Sequence, residues 1–251
     1  MAGHSKWANI RHKKAKEDAK RSKVFTKIIK ELTVAAKEGG GDPTGNPRLA
    51  LAIENAKSCN LPKDNMERAI KRGTGELDDG SSFEEVSFEG YGPGGIAYYI
   101  EATTDNNNRT VSEIRHIFTK YGGNMGINGS VSFLFEQKGM IGLLAEGLDE
   151  ENFILAAIEA GAEDVIIEKD TTLFIVMTER TELFSVRNNL ETSGYTIEQA
   201  ELVREATSET KVEAEMARAN FNMIEKFEEN DDVTNVFTNL LIDEETMNAL
   251  D

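Results

Sequence analysis

The sequence predicts an α+β protein. It has an N-terminal three-helix domain and two α/β domains, the third ferredoxin-like and inserted into a discontinuous second. Three observations predict this. Apolar residues recur at helical spacing up to about Ile70, and the period then changes. A β-α-β-β-α-β order fills residues 138–205. The stretch before it reads only β-β-α-β and lacks a helix to finish covering its sheet, which the chain supplies after residue 205.

Residues 1–20 are polar and basic, with little apolar periodicity beyond Trp7 and Ile10. They read as an arm that orders on its partner. From Ser22 the spacing of Val24, Phe25, Ile28, Ile29, Leu32, Ala35 and Ala36 predicts a helix, with Lys23, Lys27 and Lys30 mostly on its other face. Gly39-Gly40-Gly41-Asp42-Pro43 stops it. Pro47 and Pro62 open two more helices, their core sides marked by Leu49, Leu51, Ile53 and Ala56, then Met66, Ala69 and Ile70. The run from Gly73 to Ser82 reads as a linker.

Strands are expected at 83–89 and 96–103, joined through Gly90-Tyr91-Gly92-Pro93-Gly94-Gly95. A helix from Thr110 to Tyr121 follows, with Thr110 and Glu113 as a capping box, and then a strand at 131–135. The inserted unit reads as strand 140–145, helix 150–160, strands 165–168 and 173–178, helix 182–192 and strand 196–202. Beyond it come a helix from Val212 to Glu228, with Thr210 and Glu213 as a second capping box, and an edge strand at 233–237. The expected divisions are an arm (1–20), a helical domain (21–75), a discontinuous α/β domain (76–137 and 206–240), the insertion (138–205) and a tail (241–251). The alternative, a separate C-terminal helical tail, leaves the middle sheet with an apolar face uncovered.

Charge divides the chain. Residues 1–75 hold 17 bases and 8 acids; the remaining residues hold 11 bases and 37 acids, within a net charge of -17. That asymmetry points to polyanion binding at one end, with the acidic body keeping the contact local. The one cysteine, Cys59, allows no internal disulfide and fits a reducing cytoplasm. There is no run of 18 apolar residues and no apolar leader, so neither a membrane partner nor secretion is expected.

The candidate nucleic-acid contacts are His4, Lys6, Trp7, Arg11, His12, Lys13, Lys14, Lys20, Arg21, Lys23, Lys27 and Arg109. Lys and Arg neutralise phosphates, and aromatic rings among them can stack on exposed bases. The competing reading is a solvated basic tail with Trp7 as an apolar anchor. The Gly90–Gly95 loop lacks the Lys-Ser/Thr ending of a phosphate loop and reads as a wide hairpin connection. The polar run Thr104 to Thr110 suits either helix capping or recognition by its Asn side chains and Arg109. His4, His12 and His116 form no metal motif, Cys59 has no nucleophile signature, and no cofactor is implied, so the protein is expected not to be an enzyme.

Several long motifs carry a family resemblance. They are Met1-Ala2-Gly3-His4-Ser5-Lys6-Trp7, Arg11–Lys14, Lys20–Leu32, Gly40-Gly41-Asp42-Pro43, Asn46-Pro47-Arg48-Leu49, Glu89–Gly95, Thr104–Thr110 and Gly129-Ser130-Val131. The chain resembles the YebC/PmpR family, whose mitochondrial relatives are translational activators. The resemblance implies three domains around a cleft and a DNA-binding transcriptional regulator. It also allows a ribosome-associated factor that relieves stalling and contacts ribosomal or transfer RNA. Neither implies a cofactor. The family's basic opening maps onto His4, Lys6, Trp7, Arg11, Lys13 and Lys14. Relatives often carry Arg at the position of Asn107, so this loop has one cation fewer. The residues leave DNA and ribosomal RNA both open as targets.

Overall fold

A computed structural model describes residues 18–77, 82–144, 147–167 and 173–243, with side chains from residue 23 onward. Mixed helices and two four-stranded sheets confirm the α+β class. The chain divides into two compact units. One draws on Gly80–Glu136 and Glu205–Asp251, the other on Ala8–Asp79 and Gln137–Arg204.

In the second unit, helices α1 (Asp18–Gly39), α2 (Pro47–Ser58) and α3 (Lys63–Gly73) come first. They enclose Leu32, Ala35, Ala36, Leu49, Ala52, Ala56, Leu61 and Ala69. Small residues let the helices approach closely. A Cβ on Gly73 would sit 2.3 Å from the Thr33 carbonyl oxygen and 2.7 Å from Ala36 Cβ. Asn46 caps α2 by accepting from the Leu49 N–H at 3.0 Å. Its amide donates to the carbonyls of Ala35 (2.8 Å) and Gly40 (2.9 Å), so this buried side chain also ties off the end of α1.

The same unit holds β4 (Phe135–Leu144, from Gln137 on), α5 (Glu150–Ala160), β5 (Asp164–Ile166), β6 (Leu173–Glu179), α6 (Leu183–Thr192) and β7 (Ile197–Ala206, to Arg204). Its sheet order is β5-β6-β4-β7. Ile141, Leu143, Phe153, Phe174, Val176, Val186 and Leu190 fill the space between sheet and helices. Asp149 caps α5 through the Asn152 N–H, and Gly161, at φ 105°, closes it in the left-handed conformation. Helix α2 docks here: Leu51 packs on this core, and Asn55 exchanges two hydrogen bonds with the Ala200 backbone of β7.

The first unit holds β1 (Glu84–Tyr91), β2 (Ala97–Thr104), α4 (Asn107–Lys120), β3 (Asn124–Met125), α7 (Ala214–Glu229) and β8 (Val233–Thr238), in sheet order β3-β1-β2-β8. Tyr98, Phe118 and Phe227 meet at ring-centroid distances of 4.9–5.9 Å between the sheet and its two helices. The Tyr98 hydroxyl donates to Asn220 Oδ1 at 2.8 Å, and burial raises its pKa well above that of free tyrosine. β1 and β2 form an antiparallel hairpin, closed by a tight turn at Pro93–Gly95 with the Gly92 N–H on the Ile96 carbonyl.

Three local expectations are corrected. Helix α4 begins at Asn107 and is capped by Asn106, which accepts from the Arg109 N–H; Thr110 is buried inside the first turn. Helix α7 begins at Ala214 with no side-chain cap at Glu213; Thr210 lies before it, its backbone paired with residues 239–241 and its hydroxyl accepting from Asn239 Nδ2. Residues 131–135 are no strand: Ser132–Leu134 form a 3-10 turn, and β4 starts at Phe135. Beyond these elements, Ile242 is buried.

Candidate nucleic-acid interface

Of the expected contacts, His4, Lys6, Trp7, Arg11, His12, Lys13 and Lys14 lie outside the described residues. Lys20 and Arg21 fall within the first turn of α1, where only the backbone is described. Lys23 and Lys27 are half-buried along that helix. Lys30 does not extend their stripe: it is 7% exposed and belongs to the packed part of α1. The helix is amphipathic only near its start. From Leu32 to Ala36 every residue is buried, so α1 is a central packing element that surfaces toward its basic end.

The other cations of the helical region divide by role. Arg48 Nε and Nη2 grip Glu31 at 2.8 and 2.9 Å while Nη1 reaches Glu38 at 2.7 Å. This fork fastens α2 to α1 and is structural. Arg68 and Lys71 of α3 are exposed. Lys71 and Arg72 also sit in the last turn of α3, where cations complement the helix dipole.

Arg109 has local partners. Its Nη2 lies 2.6 Å from Asp232 Oδ2 and 3.0 Å from Asp105 Oδ1, and these hydrogen bonds, Asp232 first, raise its pKa. Asp232 is buried and also accepts from Thr104 at 3.2 Å. Thr110 Oγ1 lies 2.8 Å from both Thr104 Oγ1 and Asp232 Oδ2, so its one proton serves either. The polar run thus locks the N-terminus of α4 to the loop before β8. With two carboxylates on one guanidinium, Arg109 offers little net positive charge to a phosphate.

Sequence reasoning missed a second lock. Glu89, 4% exposed, accepts from the backbone N–H groups of Gly129 (2.7 Å), Val131 (2.6 Å) and Ser132 (2.9 Å), while its own carbonyl takes the Gly126 N–H. This explains the lost strand: the amides of Val131 and Ser132 are spent on a carboxylate and cannot join a ladder. The clamped loop leaves Ile127 82% and Phe133 71% exposed. An acid at the end of a strand followed by a Gly-rich loop was the available signal, too common to single Glu89 out.

Among the described residues no group of three or more His, Cys, Asp or Glu could hold a metal ion, and no helix is long and apolar enough to cross a membrane.

Two family models match the chain: the TACO1/YebC protein N-terminal domain over residues 5–76, and the TACO1/YebC second and third domain over residues 83–240. The chain belongs to the TACO1/YebC family. It is 55% identical over 248 residues to a protein of Persephonella marina, 98% of each chain being covered. It is 52% identical to one of Magnetococcus marinus, covering all of this chain and 99% of the other. Both relatives carry the name probable transcriptional regulatory protein. The crystal structure of a conserved hypothetical protein from Aquifex aeolicus superposes with a TM-score of 0.87 at 48% identity, covering 92% of this chain and 94% of that one. In this TACO1/YebC chain the two carboxylate locks fall within the match to the second and third domains. Helix α1 and the basic opening from Lys6 onward fall within the N-terminal match.

Proposed function

We propose that this protein is a nucleic-acid-binding regulator of gene expression, in the first instance a DNA-binding transcriptional regulator. It would grip phosphates through its N-terminal cations. The observation that carries the reading is the confinement of positive charge: 17 bases against 8 acids up to residue 75, and 11 against 37 beyond it. A polyanion is attracted to one end and repelled by the rest, which orients the complex. The names of the relatives from Persephonella marina and Magnetococcus marinus support a regulatory role. The phosphate contacts in this reading are Lys6, Arg11, Lys13, Lys14, Lys20, Arg21, Lys23 and Lys27, with His4, Trp7 and His12 available to stack on bases. Arg109 acts as a positioning residue, because its guanidinium already serves Asp232 and Asp105.

A second reading keeps the same contacts and makes the target ribosomal RNA. The acidic body favours it: a short basic segment entering structured RNA needs no broad positive surface, whereas a duplex laid along the protein would meet that body. One variant tests both. With Lys6, Arg11, Lys13 and Lys14 changed to Gln, affinity for labelled duplex DNA or structured RNA should fall. The slope of log K against log salt should shrink by about one unit per lost phosphate contact. An unchanged slope removes the arm from the mechanism. Footprinting a promoter segment supports the first reading. Sedimentation with ribosomes that depends on these four residues supports the second.

A further inference from the structure

Helix α5 of the inserted fold has two apolar faces, and among the described residues only one is packed. Phe153 and Ala157 point into the core. On the opposite side Ile154, Leu155 and Ile158 are 36%, 61% and 58% exposed. Positions 154 and 158 lie one turn apart, and 155 and 158 three residues apart, so the three side chains form one patch. An outward helix face in a two-layer fold is ordinarily polar. Single exposed apolar residues need no explanation, whereas three grouped on one helix face mark a contact surface.

The rim of the patch indicates what covers it. Glu150, Glu151 and Glu159 are exposed on the same helix, and Glu159 and Glu151 flank the apolar residues. The helix contains no Lys or Arg. An apolar centre bordered by carboxylates repels nucleic acid and anionic lipid. It also disfavours a second copy, since a two-fold contact would set this acidic rim against itself. The chemistry it matches is an amphipathic helix with an apolar stripe flanked by lysines or arginines. We infer that α5 is a docking face for a basic amphipathic helix of a protein partner. This inference is independent of the proposed nucleic-acid contacts, which lie before residue 28 and take the opposite charge.

The test uses the full chain, ¹⁵N-labelled, titrated with a synthetic 14-residue Leu/Lys helix as probe and a Leu/Glu helix of the same length as control. Amide shifts should concentrate in residues 150–160. Leu155→Asn/Ile158→Asn should weaken binding about tenfold or more, the scale expected from losing two partly exposed apolar side chains at a contact. Raising the salt concentration should weaken it further. Both altered residues are already exposed, so the variant should keep the wild-type spectrum outside this helix. Shifts located elsewhere, equal affinity for the double variant, or equal binding of the Leu/Glu helix would overturn the inference. So would sedimentation equilibrium showing that wild type self-associates and the double variant does not, which would make a second copy the occupant.

Discussion

Replacing Glu89 by Gln keeps the shape of the side chain and removes half of its accepting capacity. In the wild type one carboxylate oxygen takes the Gly129 N–H and the other takes those of Val131 and Ser132. Gln can present its oxygen to one side only. The better arrangement keeps Val131 and Ser132 bonded and turns an NH2 group toward the Gly129 N–H, donor against donor. The Gly129 bond is only part-buried, so losing it costs about 1 kcal/mol, and the other two charge-assisted bonds each lose about 1 kcal/mol on falling to neutral strength. A net local loss of about 3 kcal/mol is therefore expected, which at 1.4 kcal/mol per decade is roughly a hundredfold. Amide hydrogen exchange read by NMR gives the direct measure: residues 129, 131 and 132 should exchange roughly a hundredfold faster. The urea midpoint should fall as well. Unchanged protection at all three amides would refute the view that this carboxylate shapes the loop carrying Ile127 and Phe133.

Gly73→Ala forces a methyl against the Thr33 carbonyl and Ala36, so α1 and α3 must separate. A loss of about 1–3 kcal/mol is expected, seen as an earlier thermal transition by circular dichroism. Asp232→Asn keeps one accepting oxygen but removes the buried negative charge facing Arg109 and Thr104, and should cost about 1–3 kcal/mol, Arg109 being partly solvated. Adding Arg109→Met should cost less than the sum of the two single changes in a double-mutant cycle of urea denaturation. Lys138 donates to Glu163 (2.8 Å) and Glu179 (2.9 Å), which raises its own pKa and lowers that of Glu179. A lowered carboxylate stabilises the fold fully above its unfolded pKa, near 4.5, and loses that contribution as pH falls through the folded value. Lys138→Met should therefore flatten the acid limb of a melting-temperature profile between about pH 5 and 3. The raised lysine contributes fully below its unfolded value of 10.5, so the variant should also flatten the alkaline limb above it.

The α+β class and the strand and helix order were legible because they rest on periodicity, a local property. Of the residues expected on the core side of α2, Leu49 and Ala56 are buried and Ile53 packs partly buried against the same core, while Ala52 was not singled out. The charge division was legible because it needs only counting. Cap positions were not. Thr110 followed by Glu113 satisfies the capping-box spacing, yet the hydroxyl meets Asp232, a residue 122 positions away. Residues 131–135 are mostly apolar and β-prone like a strand, yet their first two amides belong to Glu89, 42 and 43 positions back. Lys30 fits an exposed stripe by spacing, yet it is buried.

The amino-acid order by itself determined where positive charge gathers, which elements form and in what succession, and that the middle sheet needs a helix from beyond residue 205. Only the tertiary structure decided which polar groups are available. Arg109 is occupied by two acids, Lys30 lies within the packing, and Ile127, Phe133 and the outer face of α5 stand exposed. The physical reason is one of range. Helical and strand periods are set by neighbours a few residues apart, whereas a buried carboxylate takes whichever donors the fold brings within about 3 Å, and their distance along the chain leaves no local trace.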